Sequence, residues 1–173
     1  MIELVPHLLH PPHAVQSVAI TLARSDAGLH LAFLLTGDLD AVVIPPPSTS
    51  GRADNLWETT CFEIFVRGDG AAYSEYNFSP SGEWAAYAFD DYRLGTRKAD
   101  AAVTIACRRV EKALAMDVTL AAAFPDHARL ALSAVVEEKG GSKSFWALAH
   151  RAGPPDFHHE TCFALRLADI AQA

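Results

Sequence analysis

Cysteine is scarce in this sequence. Its three residues, Cys61, Cys107 and Cys162, are an odd number with no CxxC spacing. A disulfide scaffold uses an even number in a shorter, denser chain, so these read as free thiols in a reducing compartment. Basic residues are also few, with Lys plus Arg 14 against Asp plus Glu 21 and a net charge of -7. An acidic chain has no long-range attraction to phosphate backbones, and nucleic acid is not an expected partner. No stretch of ~18 uninterrupted apolar residues occurs, so no membrane-spanning helix is expected. The start, MIELVPHLLHPPH, lacks a basic n-region, an apolar core and a small-residue cleavage site. It does not read as a signal peptide, and the expected location is cytoplasmic. Nucleophile motifs are missing as well. There is no GxSxG elbow, SPSG (79–82) lacks the glycine spacing and lysine of a phosphate loop, and no cysteine adjoins a histidine.

What remains is a chain of 173 residues, half of them hydrophobic and 20% charged. That excludes a disordered segment and fits one domain over 1–173, able to bury roughly 70% of its unfolded surface. Short apolar stretches are cut by Gly, Pro, Asp and Ser. VQSVAITLAR (15–24) and LHLAFLLTG (29–37) flank turn residues at 25–28, which predicts a hairpin. A Pro- and Ser-rich loop, 44–55, precedes ETTCFEIFV (58–66), YSEYNFS (73–79) and EWAAYAFDDY (83–92), with SPSG as the turn between the last two. ADAAVTIACRRV (99–110) and ALAMDVTL (113–120) form a second hairpin around Glu111 and Lys112. AAAF (121–124) could be one helical turn. RLALSAVVEE (129–138), the turn KGGSK, SFWALAH (144–150), the loop 151–159 and a last strand CFALRL (162–167) complete the chain. About ten strands with turn signals every ~8–12 residues and very little helix predict an all-β, antiparallel β-sandwich, jelly-roll-like.

Side chains alternate along a strand, so faces can be assigned. Phe62, Ile64 and Val66, Tyr76 and Phe78, Ala85, Tyr87 and Phe89, and Phe163, Leu165 and Leu167 are assigned to the inter-sheet core. The opposite set is Cys61, Glu63 and Phe65, Tyr73, Glu75 and Asn77, Trp84, Ala86 and Ala88, and Cys162, Ala164 and Arg166. Carboxylates, an amide, an arginine and a tryptophan among small residues do not resemble a plain solvent face. They predict a second, partly covered face with a concave space, the make-up of a small-molecule site. The candidate ligand-binding residues are Glu63, Glu75, Asn77, Trp84 and Arg166, with Trp146 and His150 as additions. Arg166 is expected to pair with at least one acid, since an unpaired buried carboxylate is costly.

Each feature also has a plain structural reading. Glu63 and Glu75 can be an acid–base pair, sugar-hydroxyl acceptors or a solvated sheet face. Trp57 suits a plug at a sandwich end. Trp84 and Trp146 suit sugar stacking or core packing equally. His7, His10 and His13 are separated by Pro11 and Pro12 and do not form a zinc set. His150, Asp156, His158 and His159 are of metal-ligating type, yet HHE lacks the HExxH spacing. The plainer reading is a structured loop in which Asp156 or His158 bonds the backbone. No metal and no catalytic residue is assigned.

Three stretches, GRADNLWETTCFEIFV (51–66), YSEYNFSPSGEWAAYAFDDYR (73–93) and SFWALAHRAGPPDFHHETCFALRL (144–167), together resemble the bacterial DOMON-like proteins, a group similar to family 9 carbohydrate-binding modules. The resemblance runs over most of the chain and implies a β-sandwich of a superfamily that binds sugars or haem. Haem-binding relatives use a Met with a His or a Lys as axial ligands. This chain has only Met1 and Met116, and no cofactor is assigned. Family 9 modules stack sugar between tryptophans and are usually attached to secreted enzymes. The tryptophans are here without the secretion signal, which favours a small intracellular ligand. The expected function is a non-catalytic binding domain for a small carbohydrate or sugar-like metabolite. The alternatives are an enzyme on a sugar-like substrate, a haem or metal protein, and a subunit whose concave face takes a partner protein.

Overall fold

The computed structural model describes residues 1–172. Its strands are β1 (Ile2–Glu3), β2 (Val5–Pro6), β3 (Val15–Ser25), β4 (Gly28–Gly37), β5 (Gly51–Arg52), β6 (Cys61–Arg67), β7 (Tyr73–Phe78), β8 (Glu83–Phe89), β9 (Arg97–Lys98), β10 (Ala102–Val110), β11 (Ala113–Ala121), β12 (Arg129–Glu137), β13 (Lys143–Ala147) and β14 (Leu165–Arg166). Strands take up 51% of the chain, and the helical residues are confined to three 3-10 turns at Leu56–Glu58, Glu160–Cys162 and Leu167–Asp169. No helix among the described residues is long and apolar enough to cross a membrane.

Two sheets form. One has the order β1-β3-β4-β11-β10. The other runs β2-β13-β12-β6-β7-β8-β5, with β14 on β12 and β9 on β8. Neighbours are antiparallel except for the short β5–β8 pair. The hairpins predicted at 25–28, 111–112, 79–82 and 139–143 are all present. In the first, Ser25 pairs Gly28, whose φ of 136° and lack of a side chain let its backbone pass beside the Leu120 carbonyl. The core between the sheets joins Ile20, Leu31, Phe33, Leu35, Met116 and Val118 of the smaller sheet to Phe62, Ile64, Phe78, Leu130 and Leu132 of the larger one. The all-β sandwich expected from turn spacing is therefore the fold.

Three local expectations differ. Residues 122–124 form no helical turn, because β11 runs on in its ladder to Ala121. The last predicted strand is instead a 3-10 turn at Glu160–Cys162, capped by the His159 ring accepting from the Thr161 N–H, followed by the two-residue β14. The faces of β8 are inverted. Phe78 pairs Trp84 and Glu75 pairs Tyr87, and cross-strand partners share a face. Trp84 and Ala86 therefore pack on the inter-sheet core, while Ala85, Tyr87 and Phe89 belong to the opposite face.

Candidate functional site

The outer face of the larger sheet is built in rows, each set by strand register. One row reads Ala147, Ser133, Glu63, Asn77, Ala85 across β13, β12, β6, β7 and β8. The next reads Ala131, Phe65, Glu75, Tyr87. Glu63 and Glu75 are therefore diagonal neighbours on adjacent strands. Both are buried, at 2% and 7% exposure, under a loop that brings Phe157, His158, Cys162 and Phe163 over the sheet. Between loop and sheet lies a cavity of about 520 Å³ with the two carboxyls on its floor. Phe65, Tyr87, Phe89, Phe145 and Phe157 form its walls, and Trp57, Asn55 and Arg93 stand at its mouth.

The polar groups of the floor are held by specific bonds. The Ser133 hydroxyl donates to Glu63 Oε2 at 2.8 Å, and Asn77 Nδ2 donates to Glu75 Oε1 at 2.7 Å. Burial pushes the Glu63 carboxyl up to about 8, helped by the Glu75 charge and opposed by the Ser133 bond and Arg93. Burial also raises Glu75, opposed by the Asn77 bond and by Arg93. Burial raises both acids and their mutual repulsion disfavours two charges on the floor, so the pair titrates as a unit that favours holding a proton. Asn77 Oδ1 is buried without a partner. Glu63 stands directly across the ladder from it, and a neutral Glu63 carries the donor that this acceptor lacks.

His158 closes one wall. The Tyr73 hydroxyl lies 2.7 Å from its Nδ1 and accepts the Arg93 N–H at 3.1 Å. When the hydroxyl donates to Nδ1, the neutral ring carries its proton on Nε2, facing Glu75. The Nε2 to Glu75 Oε2 distance of 3.8 Å is beyond hydrogen-bond reach. Burial and the nearby Arg93 charge push His158 down to about 4, with Asp156 opposing, so the ring is neutral and the contact is not an ion pair at pH 7. Arg93 has a left-handed φ of 54° in the turn after β8. Its guanidinium reaches Asp156 Oδ1 at 2.8 Å, and Tyr92 bonds the other Asp156 oxygen. This clamp fixes the 151–159 loop over the sheet. Burial works against Asp156 ionising, but the bonds from Tyr92 and Arg93 outweigh it and its pKa lies below the ordinary range.

Of the residues singled out from sequence, Glu63, Glu75 and Asn77 share this site. Four others do not. Trp84 packs against the inter-sheet core, and Trp146 lies within it, 2% exposed, opposite Ala134 in the ladder. His150 bonds the Val5 carbonyl through Nε2 at 2.8 Å and lines a different, apolar hollow with Leu8 and Leu9. Arg166 pairs with Arg129 at the far end of β12, is exposed, and makes no salt bridge to either acid. Among the described residues no arginine forms an ion pair with either acid; Arg93, which does line the cavity, is paired with Asp156. Sequence reading also placed Trp57 as a plug, whereas it is 51% exposed at the cavity mouth on the first 3-10 turn. Tyr87, Arg93 and His158 were missed as site residues. Tyr87 was missed because the loop joining β7 to β8 is the three residues 80–82, with the Ser79 N–H bonded to the Glu83 carbonyl, and not the four of SPSG; that one-residue difference exchanges the faces of β8. Arg93 and His158 sit in loops, where no periodicity assigns a face.

The histidine-rich loop behaves as a structured loop. The His158 N–H donates to Asp156 Oδ1 at 3.2 Å, and His159 caps the second 3-10 turn. Met116, a possible axial ligand from the resemblance, is 1% exposed inside the inter-sheet core. The three cysteines are free, with Cys61 and Cys162 buried and Cys107 part-exposed. Burial pushes Cys61 well up and Cys162 up to about 11, which makes both poor nucleophiles.

No family model matches the chain, and no curated protein matches it significantly. Its fold is similar to that of a solved structure described as "a putative carbohydrate-binding protein" from Bacteroides uniformis. The two share 14% identity with a TM-score of 0.65, over 93% of this chain and 84% of that one. This likeness establishes a shared fold and leaves the DOMON-like and family 9 resemblance at that level.

Proposed function

We propose that the chain is a non-catalytic binding domain, one unit over 1–173 acting in the cytoplasm, whose cavity takes a small carbohydrate or sugar-like metabolite. The observation that carries this reading is the floor: two buried carboxyl groups on neighbouring strands, open to a hollow walled by aromatic rings. Sugar hydroxyls both donate and accept. Glu75 offers acceptors, while protonated Glu63, His158 Nε2 and Arg93 offer donors. Trp57 at the mouth and Tyr87 on the wall present flat apolar surface for the sugar face. The description of the Bacteroides uniformis protein supports the same reading by analogy of fold.

The experiment is a titration of monosaccharides and disaccharides followed by tryptophan fluorescence. Trp57 is the well-exposed indole, so ligand entry should shift emission toward the blue. The signal should disappear in Trp57→Phe while Glu75→Gln weakens binding. Saturable binding that neither substitution affects would reject the site.

A second reading, glycoside chemistry, draws on the raised Glu63 beside a second carboxyl, Glu75, the two groups an acid–base pair needs. Release of nitrophenol from nitrophenyl glycosides, lost in Glu63→Gln and falling on the alkaline side as pH rises through about 8, would favour it over binding alone.

A further inference from the structure

The sequence has ten arginines. Seven of them, Arg24, Arg52, Arg93, Arg97, Arg108, Arg109 and Arg151, lie within 4.0 Å of an aspartate. Among the described residues, the three that pair with no carboxylate are Arg67, Arg129 and Arg166, and they are neighbours. Arg129 of β12 is directly opposite Arg67 of β6 on one side and Arg166 of β14 on the other. Directly opposite side chains leave on the same face with Cβ atoms about 4.5–5.5 Å apart, and like charges there are destabilising. In a chain with a net charge of -7, three adjacent uncompensated arginines are not a product of composition.

The row borders a depression of about 370 Å³ lined by Arg67, Arg129, Gly68, Thr161, Glu160 and Phe163. Arg67 is positioned there. Its Nε donates to the Gly70 carbonyl at 2.9 Å, and its guanidinium lies 5.9 Å from the Phe163 ring centre. Among the described residues, its two terminal nitrogens have no protein partner. Glu160 is on the same rim, exposed, and forms no ion pair with any of the three.

We propose that the Arg67–Arg129–Arg166 row binds a tetrahedral oxyanion, phosphate or sulfate, either free or as an ester on a larger molecule. Guanidinium forks on neighbouring strands, two of them lining the depression, supply more donors than a carboxylate has oxygens to accept, and they match an oxyanion with three or four. The bound anion would remove the repulsion along the row. A shallow hollow joins this site to the carboxyl-floored cavity, sharing His158 with the cavity and Arg67 and Phe163 with the depression. A sugar ester could therefore span both, although the anion site stands without the sugar reading.

The test is calorimetric titration of the full chain at low ionic strength with inorganic phosphate, inorganic sulfate, glucose 6-phosphate and glucose. Phosphate or sulfate should bind at one saturable site. Arg129→Gln should weaken it roughly tenfold or more, as expected for loss of a charge-assisted contact. Glu160→Gln should strengthen it. Arg109→Gln, which removes an exposed arginine of the other sheet, should leave it unchanged. If Arg129→Gln does not fold, Arg166→Gln, on the exposed end of the row, takes its place. Glucose 6-phosphate binding more tightly than inorganic phosphate assigns an ester, and equal binding assigns the free ion. Anion binding that survives Trp57→Phe separates this site from the sugar cavity. No saturable binding by any of the three anions, or equal weakening by Arg129→Gln and Arg109→Gln, would overturn the proposal.

Discussion

The two sheets turn very different outer faces to their surroundings. On β4 and β11 of the smaller sheet, burial alternates residue by residue, with Leu29, Leu31, Phe33 and Leu35 or Leu114, Met116, Val118 and Leu120 inward. On β6 and β12 of the larger sheet nearly every residue is buried, on both faces. The second face is covered by the loop carrying Phe157, His158 and Phe163. Yet it holds Glu63, Glu75, Asn77 and Ser133, which no inter-sheet core would carry. Equal burial thus has two meanings here. Against the other sheet it is apolar packing; under the loop it is a set of polar groups whose costs are met by one another and by an open cavity.

The sharpest way to break this comparison is to delete one ring from each face. Phe62→Ala, in the inter-sheet core, should cost about 3–5 kcal/mol in chemical denaturation. Phe65→Ala, on the cavity wall directly across the ladder from Glu75, should cost clearly less, because its vacated space joins a hollow already present. Equal costs would mean that the outer face is an ordinary core.

The second test is pH. Glu63 has a folded pKa of about 8, above its unfolded value of 4.5. The folded state then binds the extra proton between these values, and stability from this group falls as pH rises through that range. His158 is lowered from 6.5 to about 4, so its stability is present above 6.5 and lost as pH falls toward 4. The two oppose each other between 4.5 and 6.5, leaving a decline from 6.5 to 8 that belongs to Glu63 and the Glu75 beside it, which burial also raises. Glu63→Gln should flatten that decline in denaturant melts and gain on the order of a few kcal/mol relative to wild type above pH 8. A slope unchanged in the variant would place the proton elsewhere.

Tryptophan substitutions sharpen the comparison at the level of ligand. Trp57→Ala should weaken sugar binding roughly fivefold, a stacking contribution of about 1 kcal/mol, with the melting temperature little changed. Trp84→Ala should do the reverse, lowering stability with little effect on affinity, because that ring packs on the inter-sheet side. If Trp84 controls affinity, the assignment of faces on β8 is wrong. The smallest effect is in thiol reactivity. Under native conditions Cys107, part-exposed on β10, should react first with a thiol reagent, and Cys61 and Cys162 only as the chain unfolds. All three should titrate in denaturant without reductant.

Strand existence was legible because turn residues punctuate the chain and alternation has a period of two. Faces were legible on β6 and β7 because large apolar residues mark one side of each. On β8 the same reasoning failed. Tyr87 and Phe89 are large and apolar enough to look like core, and the outer face is itself aromatic. Register counted outward from a four-residue SPSG turn pairs Asn77 with Trp84, whereas the observed partner of Asn77 is Ala85, and that slip of one residue exchanges the faces. Within the site, Glu63, Glu75 and Asn77 came from strand pattern, and Trp84, Trp146, His150 and Arg166 were lost because each depends on where its strand or loop end lies relative to the others.

The sequence by itself determined an all-β sandwich, four hairpins, three free thiols and a polar second face on the strands that carry Glu63 and Glu75. Those follow from local periodicity, turn chemistry and residue type. Tertiary structure alone decided that Arg93 rather than Arg166 faces the acids, that His158 closes the cavity, that Trp57 guards its mouth, and that three arginines distant in sequence form one row. Loops have no period, and adjacency between strands is fixed by long-range register, which no single stretch of the chain encodes.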